Sequence, residues 1–179
     1  AALSILTDSQ YFGGSLDFLK KARPLVDKPI LRKDFVVDEY QLFEARLAGA
    51  DAVLLIAADL KLQEARALAS MAHELGLEVL MELHSEDELD YASLDVDMVG
   101  VNNRDLGTFH TDVQNSFRLS ASLPQDRVLV SESGLGNPQT VMLLRQAGFR
   151  GFLMGEHFMK ADDPGMKLAR FISGIGNTL

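Results

Sequence analysis

The segment Val128–Met154, VLVSESGLGNPQTVMLLRQAGFRGFLM, carries the pattern from which the fold of this chain can be inferred. A β-rich run at Val128–Ser131 ends in polar residues and glycines, an amphipathic stretch follows at Asn137–Ala147, and a second β-rich run covers Gly151–Met154. An N-cap asparagine and an N1 proline open the helix, and a glycine stands where it should stop. The segment therefore predicts one strand–helix–strand unit.

The same alternation runs along the whole chain at intervals of roughly two to three dozen residues, the usual length of a βα unit. The predicted strands are Leu3–Leu6, Ile30–Lys33, Ala52–Ile56, Glu78–Glu82, Met98–Asn102, Val128–Ser131 and Gly151–Met154. The predicted helices are Ser15–Val26, Glu39–Leu47, Leu62–Leu75, Glu86–Ala92, Asn115–Leu123, Asn137–Ala147 and Pro164–Ile172. Alternating units predict a parallel sheet covered by helices, either doubly wound or closed as a (β/α)₈ barrel.

Polar residues favour the barrel, because they collect at the carboxyl ends of nearly every predicted strand. A closed barrel brings all these ends around one pocket, whereas an open sheet brings together only those near a switch point. Seven βα units are predicted where a closed barrel has eight, and the first strand begins almost at residue 1. We therefore expect an α/β fold, a (β/α)₈ TIM barrel with seven of its eight βα units. It would be a single, incomplete barrel domain over residues 1–179, with one unit missing at the N-terminus.

Composition excludes several functional classes. The chain has 179 residues, of which 47% are hydrophobic and 24% charged, and this balance fits one globular domain with a substantial core. Its net charge of -9 argues against nucleic acid as a partner. The absence of cysteine rules out disulfides and thiolate metal sites and suits the cytoplasm. The longest apolar run, Ala52–Ala58, is too short to span a membrane, and no signal peptide is indicated.

A lysine ends the second predicted strand, in the stretch KPILRKDF. Period-two alternation puts Leu31, Lys33 and Phe35 on one face of the strand and Arg32 and Asp34 on the other. If Leu31 faces the interior, Lys33 stands at the mouth of the barrel beside an aromatic ring. Burial would lower the pKa of this lysine and make it a candidate general acid. The alternative is a lysine that solvates the end of a strand.

Two further strand ends carry candidate chemistry. Glu82 follows the buried run Val79–Met81, so its pKa should be raised unless it is paired, and it is a plausible proton acceptor. In GVNNRDL, Asn102 and Arg104 follow an apolar strand, and an amide with a guanidinium suits an acidic, hydroxylated ligand. An Asn-rich turn with an Arg–Asp surface pair would explain the same residues.

The last two units, SESGLGNP and GFLMGEHFMK, each place a glycine just past a strand and a helix start soon after. Glycine lets a ligand approach the backbone, and free amide groups at a helix N-terminus bind anions. Barrels often hold a phosphate at the loops after strands 7 and 8, so this pairing predicts a phosphate site. The alternative is that each glycine only makes a turn.

Taken together, these stretches resemble the indole-3-glycerol-phosphate synthase family, a (β/α)₈ enzyme family of tryptophan biosynthesis. The matching stretches, in the family's order, are LSILTDSQYFGGSLDFL, KPILRKDFVVDEYQ, GADAVLLIAADL, LEVLMELHSEDEL, GVNNRDL, VLVSESGL and GFLMGEHFMK. The resemblance implies a carboxy-lyase that closes the ring of 1-(2-carboxyphenylamino)-1-deoxyribulose 5-phosphate, releases carbon dioxide and water, and forms indole-3-glycerol phosphate. It implies no metal and no organic cofactor, and a phosphorylated small molecule as the partner.

The resemblance also implies roles for individual residues. Lys33 would be the general acid, Glu82 the carboxylate that handles protons during dehydration, and Asn102 an amide lining the site. Arg104 would lie near the substrate's anionic groups, and Glu132 would orient a lysine or a ligand hydroxyl. The residues implied in substrate binding through phosphate are Ser133, Gly134, Gly155 and the backbone amide of Glu156. Those implied as an apolar wall for the aromatic ring are Phe35, Leu54 and Leu106.

Two departures from the family are expected to matter. Glu156 stands where the family often has a small hydroxylated residue, so a side-chain contact to phosphate is lost and a negative charge is added. The family's N-terminal extension and first strand, which carries a catalytic Glu and Lys, are expected to precede Ala1. We therefore expect this chain alone to be poorly active and to self-associate through exposed strand edges. The competing interpretations are another phosphate-binding barrel, such as phosphoribosylanthranilate isomerase, and a non-catalytic, self-associating barrel fragment.

Overall fold

The computed structural model describes residues 1–105 and 107–176. Within these residues lie seven strands: β1 (Leu3–Leu6), β2 (Ile30–Lys33), β3 (Ala52–Ile56), β4 (Glu78–Leu83), β5 (Met98–Asn102), β6 (Val128–Glu132) and β7 (Gly151–Leu153). The same ranges contain seven α-helices: α1 (Leu16–Ala22), α2 (Glu39–Ala48), α3 (Leu62–Glu74), α4 (Gln114–Ser120), α5 (Pro138–Gln146), α6 (Glu156–Met159) and α7 (Pro164–Gly176). All the predicted strands are confirmed, with ends shifted by one residue at most.

The order of the strands separates the two predicted classes of sheet. The strands follow one another in the sheet in chain order, β1-β2-β3-β4-β5-β6-β7. Pairing is parallel for β1 with β2, β2 with β3, β3 with β4 and β6 with β7. A doubly wound sheet reverses its order at a switch point, and the described strands contain no such reversal. The order confirms the (β/α) barrel class over the doubly wound one.

The described residues group into two compact units. The first consists of Ala1–Leu83 and Asp87–Val99, and the second of His84–Glu86 and the chain from Gly100 onwards. In the first unit every residue of β3 is buried, between β2 and β4. That burial explains its unbroken apolar sequence, because a parallel strand covered on both faces has no solvent side on which to place polar residues.

Helix α2 shows how local chemistry sets the ends of an element in the first unit. The Asp38 side chain accepts a hydrogen bond from the backbone of Tyr40, and Gln41 completes a capping box. The helix ends at Ala48, and the capping residue Gly49 has a left-handed φ of 92°. A Cβ at Gly49 would also lie 2.7 Å from Cγ of Arg23, whose guanidinium bonds Asp51 at 2.7 Å. Conformation and packing therefore both require glycine at this position.

Helix α5 organises the core of the second unit. Asn137 caps it by accepting from the backbone of Gln139, and Pro138 occupies its first turn, as predicted. Helices α6 and α7 meet through aromatic contact, with the rings of Phe158 and Phe171 5.4 Å apart, and α5 joins this cluster through Val141. The buried members of this cluster are Val141, Phe158 and Phe171, and its partly buried members are Phe152, Met154 and Ile175.

Several helical segments differ from the predictions: α4 ends at Ser120 and not at Leu123, α7 extends to Gly176 and not only to Ile172, and three others differ in type or existence. The helix predicted at Ser15–Val26 ends at Ala22 and continues as a 3₁₀ turn at Arg23–Leu25, because Pro24 has no N–H to extend an α-helix. The helix predicted at Glu86–Ala92 is a 3₁₀ helix, Glu86–Ser93, and periods of 3.0 and 3.6 are hard to separate over two turns. The four-residue α6 is too short for periodicity to reveal. Across the described ranges, none of the helices combines the length and apolarity needed to cross a membrane.

Candidate active site

Lys33 and Glu82 form a buried ion pair in the first unit. Lys33 is the last residue of β2, and its Nζ lies 3.0 Å from Oε2 of Glu82 near the end of β4. The two side chains are only 12% and 2% exposed. Moving a charge out of water costs roughly several kcal/mol per ion, and close pairing with an opposite charge offsets that cost. The structure thus brings the two predicted proton-transfer residues into hydrogen-bonding contact, while their predicted pKa shifts stay predictions.

A cluster of three aromatic rings reaches this pair through Phe12. Lys33 Nζ is 6.0 Å from the centre of the Phe12 ring, within the range of a cation–π contact. Phe12 stacks on Phe35 with centroids 4.8 Å apart, and Tyr11 meets Phe35 edge-on at 5.3 Å. Phe35 was predicted at this place, whereas Tyr11 and Phe12 were not, because they belong to no strand or helix. Their only signal in the sequence is an aromatic pair shortly after a strand end.

A buried polar network holds the chain immediately after Lys33. Arg32 Nε and Nη2 donate to Asp34 Oδ2 at 3.0 and 2.8 Å, and Thr7 Oγ1 donates to the same oxygen at 2.7 Å. The other carboxylate oxygen of Asp34 accepts from the backbone of Phe35 at 2.9 Å. Arg32 and Asp34 share a face, as alternation predicted, but their partnership with Thr7 depends on a residue from another strand end.

The predicted ligand groups Arg104 and Glu156 bind each other in the second unit. Arg104 Nη2 lies 2.6 Å from Glu156 Oε2, and Lys160 Nζ lies 2.6 Å from Glu156 Oε1. Hydrogen bonds from Lys160 and then from Arg104 lower the pKa of Glu156 from 4.5 to about 2. The surface pair considered for this turn therefore joins Arg104 to Glu156 and not to an aspartate. Asp105 instead accepts from the backbone of Thr108 at 2.7 Å. Asn102, 9% exposed, accepts from the Arg104 backbone at 3.0 Å.

The β6–α5 turn, residues 133–136, leaves the sheet in an unusual conformation. Glu132, which ends β6, is 1% exposed, and Ser133 and Gly134 follow with φ values of 66° and 73°. A Cβ at Gly134 would lie 2.7 Å from Cγ2 of Thr111, so a larger residue has neither the conformation nor the space. This turn is where the sequence predicted a phosphate contact.

The remaining predicted site residues differ in accessibility. Leu54 is fully buried in the middle of β3, opposite Leu80 of β4. Gly155 is exposed as the N-cap of α6, and among the described residues no atom beyond its chain neighbours lies within 4 Å of where its Cβ would be. Its lack of a side chain is therefore not required by packing. Leu106 lies outside the described residues.

Two surface grooves of the first unit lie away from these residues. The larger has a volume of about 490 Å³ and is lined by α3 and the approach to β5, with Arg66, His73 and Asp95 among its residues. The second, of about 300 Å³, is lined by residues at the start of α2 and along α3. Both are shallow; the larger carries charges of both signs, and the charged residues of the second, Asp38, Glu39 and Glu64, are all acidic. Neither resembles the enclosed, mainly apolar sites that bind small molecules. We therefore base the site on Lys33 and Glu82 and not on either groove.

Comparison with known proteins identifies a family. The sequence model for indole-3-glycerol phosphate synthase matches residues 1–171. Indole-3-glycerol phosphate synthase from Bacteroides thetaiotaomicron is 62% identical over 98% of this chain and 67% of its own length. Relatives of the same name from Polaromonas sp. and Delftia acidovorans are 49% and 47% identical over 95% and 97% of this chain and 65% of their own lengths. The chain thus spans about two thirds of the length of these curated relatives.

A solved structure supports the fold. The crystal structure of KGPDC from Streptococcus mutans, a TIM barrel, matches with a TM-score of 0.75 over 97% of this chain and 85% of that chain. Only 14% of residues are identical, so this likeness concerns the fold alone. The predicted TIM-barrel class is confirmed. The sequence relatives also favour the predicted lyase over an isomerase of the same fold. The chain belongs to the indole-3-glycerol phosphate synthase family.

Proposed function

We propose that the protein acts in tryptophan biosynthesis as an indole-3-glycerol-phosphate synthase. The reaction joins the ring carbon that bears the carboxylate to the carbonyl carbon of 1-(2-carboxyphenylamino)-1-deoxyribulose 5-phosphate. Loss of carbon dioxide and then of water restores the aromatic ring and gives indole-3-glycerol phosphate. Membership of the family supports this reaction. The cysteine-free composition suits a cytoplasmic setting.

The buried contact between Lys33 and Glu82 is the observation that carries the proposal. Attack on a carbonyl places negative charge on its oxygen, and an ammonium group can donate a proton there as the carbon–carbon bond forms. The later dehydration requires one proton to reach the departing hydroxyl and another to leave the ring system. A carboxylate 3.0 Å from the lysine can accept a proton and return it. In this proposal Lys33 is the general acid, and Glu82 handles protons during dehydration.

The proposed substrate contacts follow from the same chemistry. Phe35, with its stacked neighbour Phe12, offers an aromatic surface beside the lysine for the substrate's ring. Ser133, Gly134, Gly155 and the Glu156 amide are proposed to bind phosphate. Arg104 is proposed to release Glu156 and to bind an anionic group of the substrate in its place, because the two anions would compete for the same guanidinium. Asn102 and Glu132 are proposed to orient the ligand, and Leu54 and Leu106 to complete the apolar wall.

We further propose that this chain alone turns over substrate slowly. The resemblance implies a catalytic Glu and Lys in the part of the family that the chain does not span. Removing members of a cooperating catalytic set costs orders of magnitude in rate. Supplying that part should therefore restore activity.

A chimera tests both statements. The third of the Bacteroides thetaiotaomicron relative that this chain does not match would be joined to the chain, because the two are 62% identical where they align. Formation of indole-3-glycerol phosphate would be followed for the chimera and for the chain alone. We expect the chimera to be active and the chain alone to be at least about a hundredfold slower.

Two lysine variants of the chimera assign the chemistry. Lys33→Ala should abolish ring closure, whereas Lys28→Ala should leave it unchanged, because Lys28 is 60% exposed and pairs only at the surface. An inactive chimera that is folded would contradict the proposed function. A Lys33→Ala chimera with full activity would remove the lysine from the mechanism, and fast turnover by the chain alone would refute its impairment.

A further inference from the structure

We infer that Asn103, which follows β5, is a positioning residue that holds Ser133 in the conformation needed to bind the substrate's phosphate. The inference rests on the proposed function of the β6–α5 turn. Asn103 is 3% exposed, so it does not present its own side chain to a ligand as Asn102 is proposed to do. Its effect on binding would pass entirely through the turn.

The side-chain amide of Asn103 has one possible orientation. Its Oδ1 accepts from the backbone N–H of Ser116 at 3.1 Å, and a backbone N–H can only donate. Its Nδ2 donates to the backbone oxygen of Ser133 at 3.1 Å, and a carbonyl can only accept. Exchanging the two ends of the amide would break both bonds. The amide is therefore a directed link from α4 to the β6–α5 turn.

Further hydrogen bonds hold the asparagine itself. Ser116 Oγ also donates to Asn103 Oδ1 at 2.9 Å and lies 2.7 Å from Ser131 Oγ, and both serines are completely buried. The backbone N–H of Asn103 donates to the Glu132 oxygen at 2.9 Å. Asn103 is thus bonded to the last residues of β6 and to the residue after it. A buried, fully bonded amide has little freedom to let the turn move.

Ser133 needs such a restraint because of its backbone. Its φ of 66° is left-handed, a conformation that residues with a Cβ rarely adopt. Both residues are left-handed, but Gly134 adopts this conformation without steric penalty, whereas Ser133 pays the penalty of its Cβ. Non-glycine residues in this region persist only where the surroundings hold them, and they concentrate at functional sites. The hydrogen bond from Asn103 to the Ser133 carbonyl restrains this conformation. The proposed contact with the ligand explains why a serine, and not a glycine, occupies the position.

Asn103→Ala in the chain of 179 residues tests the inference through binding. Dissociation constants would be measured for indole-3-glycerol phosphate and for the same compound without phosphate, indole-3-glycerol. We expect Asn103→Ala to weaken binding of the phosphorylated ligand about tenfold and to leave the other ligand unchanged, because only the phosphate contact depends on the turn. Equal losses for both ligands would indicate a general structural defect and overturn the inference.

Ser116→Ala is the matched control. It removes a buried hydroxyl from the same network but keeps the backbone donor to Asn103 and the bond to Ser133. We expect it to lower stability and to leave the phosphate preference intact. Rescue is the stricter test: in a Ser133→Gly background, Asn103→Ala should weaken phosphate binding by much less than tenfold, because glycine needs no restraint to stay left-handed. The same tenfold loss in both backgrounds would refute the positioning role.

A ligand-free measurement separates this inference from the proposed function. Backbone chemical shifts of Ser133 report whether the residue is left-handed, and the Asn103→Ala chain should lose that signature while the Ser116→Ala chain keeps it. Retention of the signature in Asn103→Ala would overturn the inference even if the protein binds phosphate. Loss of the signature, in a protein that prefers neither ligand, would support the positioning of Ser133 and count against the proposed phosphate site.

Discussion

The opposite charges of Lys33 and Glu82 offset the free-energy cost of burying each other. A carboxylate that is 2% exposed is costly alone, and so is an ammonium that is 12% exposed. A lysine that merely solvated a strand end would extend into water, so the buried pair argues against that alternative. The pair also keeps a proton donor and an acceptor in contact before substrate arrives, which reduces the reorganisation needed for proton transfer.

The costs of removing the two charges of this pair should not add. We expect Lys33→Met to lower the free energy of unfolding by about 3 kcal/mol or more, because it leaves the Glu82 carboxylate buried without its ammonium partner. The double variant with Glu82→Gln should lose less than the sum of the two single variants by about 1–3 kcal/mol. Urea unfolding of the four proteins gives both values. Strict additivity would mean that the two charges do not interact.

Glu156 predicts a pH dependence with a definite sign. Its folded pKa of about 2 lies below the ordinary 4.5, because Lys160 and Arg104 donate to the charged form. Its contribution to stability is therefore present above about pH 4.5 and disappears as pH falls through about 2. Because the pair is exposed, salt should weaken the effect.

Carbon-13 titration of the Glu156 carboxyl checks this prediction. We expect its pKa to rise toward 4.5 in Lys160→Gln, the variant that removes the largest cause of the shift. Arg118→Gln serves as the control, since that arginine pairs with Asp112 instead. An unperturbed titration in the parent protein would mean that the ion pairs with Lys160 and Arg104 do not persist in solution.

The segment between β2 and α2 is held in place by side-chain hydrogen bonds more than by backbone hydrogen bonds. Gln41, in the first turn of α2, accepts from the backbone of Val37 and Asp38 at 2.8 and 3.1 Å and donates to the Phe35 oxygen at 2.9 Å. One amide therefore ties the helix start to the residues that follow Lys33. Such a tie fixes the aromatic surface beside the lysine without any regular structure in between.

We expect Gln41→Glu to loosen this segment. The carboxylate can still accept from Val37 and Asp38, but it cannot donate to the Phe35 oxygen, and the change should cost about 1–3 kcal/mol. Thermal unfolding measures the loss. Gln63→Glu is the control, because it makes the same change at an exposed position in the first turn of α3 and should stay within about 0.5 kcal/mol. Equal losses would show that added charge alone is responsible.

The strands could be predicted almost to the residue because each is a short apolar run bounded by turn residues. Lys33, Glu82 and the β6–α5 turn could be singled out for the same reason, as polar groups where such runs stop. Asn103 could not, because its importance comes from Ser116 and Ser133, which are distant along the chain. The pairing of Arg104 with Glu156 spans 52 residues and was missed for that reason. Local patterns locate strand ends, and only the fold shows which ends bind each other.

The first strand bears on how whole molecules interact. Among the described strands, β1 pairs with β2 alone, and its Leu3 and Leu6 are 40% and 41% exposed. The backbone N–H groups of Leu3 and Thr7 donate to the β2 side, at Pro29 and Lys33. Alternation then directs the N–H of Ser4 away from β2. An apolar strand with donors on an open side can template pairing with a second chain.

We therefore expect the chain of 179 residues to self-associate and Ser4→Pro to prevent it. Proline removes the outward N–H at Ser4 but leaves those of Leu3 and Thr7 in place, so β1 should keep its pairing with β2. Light scattering over a range of concentrations gives the mass of each protein. Ser4→Thr, which keeps the N–H, should associate like the parent. A parent that stays monomeric at every concentration contradicts the expectation.

The aromatic cluster around Lys33 has an optical consequence. Its rings are two phenylalanines and a tyrosine, and the chain contains no tryptophan at all. Light of a wavelength too long to excite tyrosine would therefore excite no side chain of this protein, yet it would excite the indole of the proposed product. Emission from a product molecule bound against Phe35 would therefore be seen without background fluorescence from the protein, because the chain has no tryptophan.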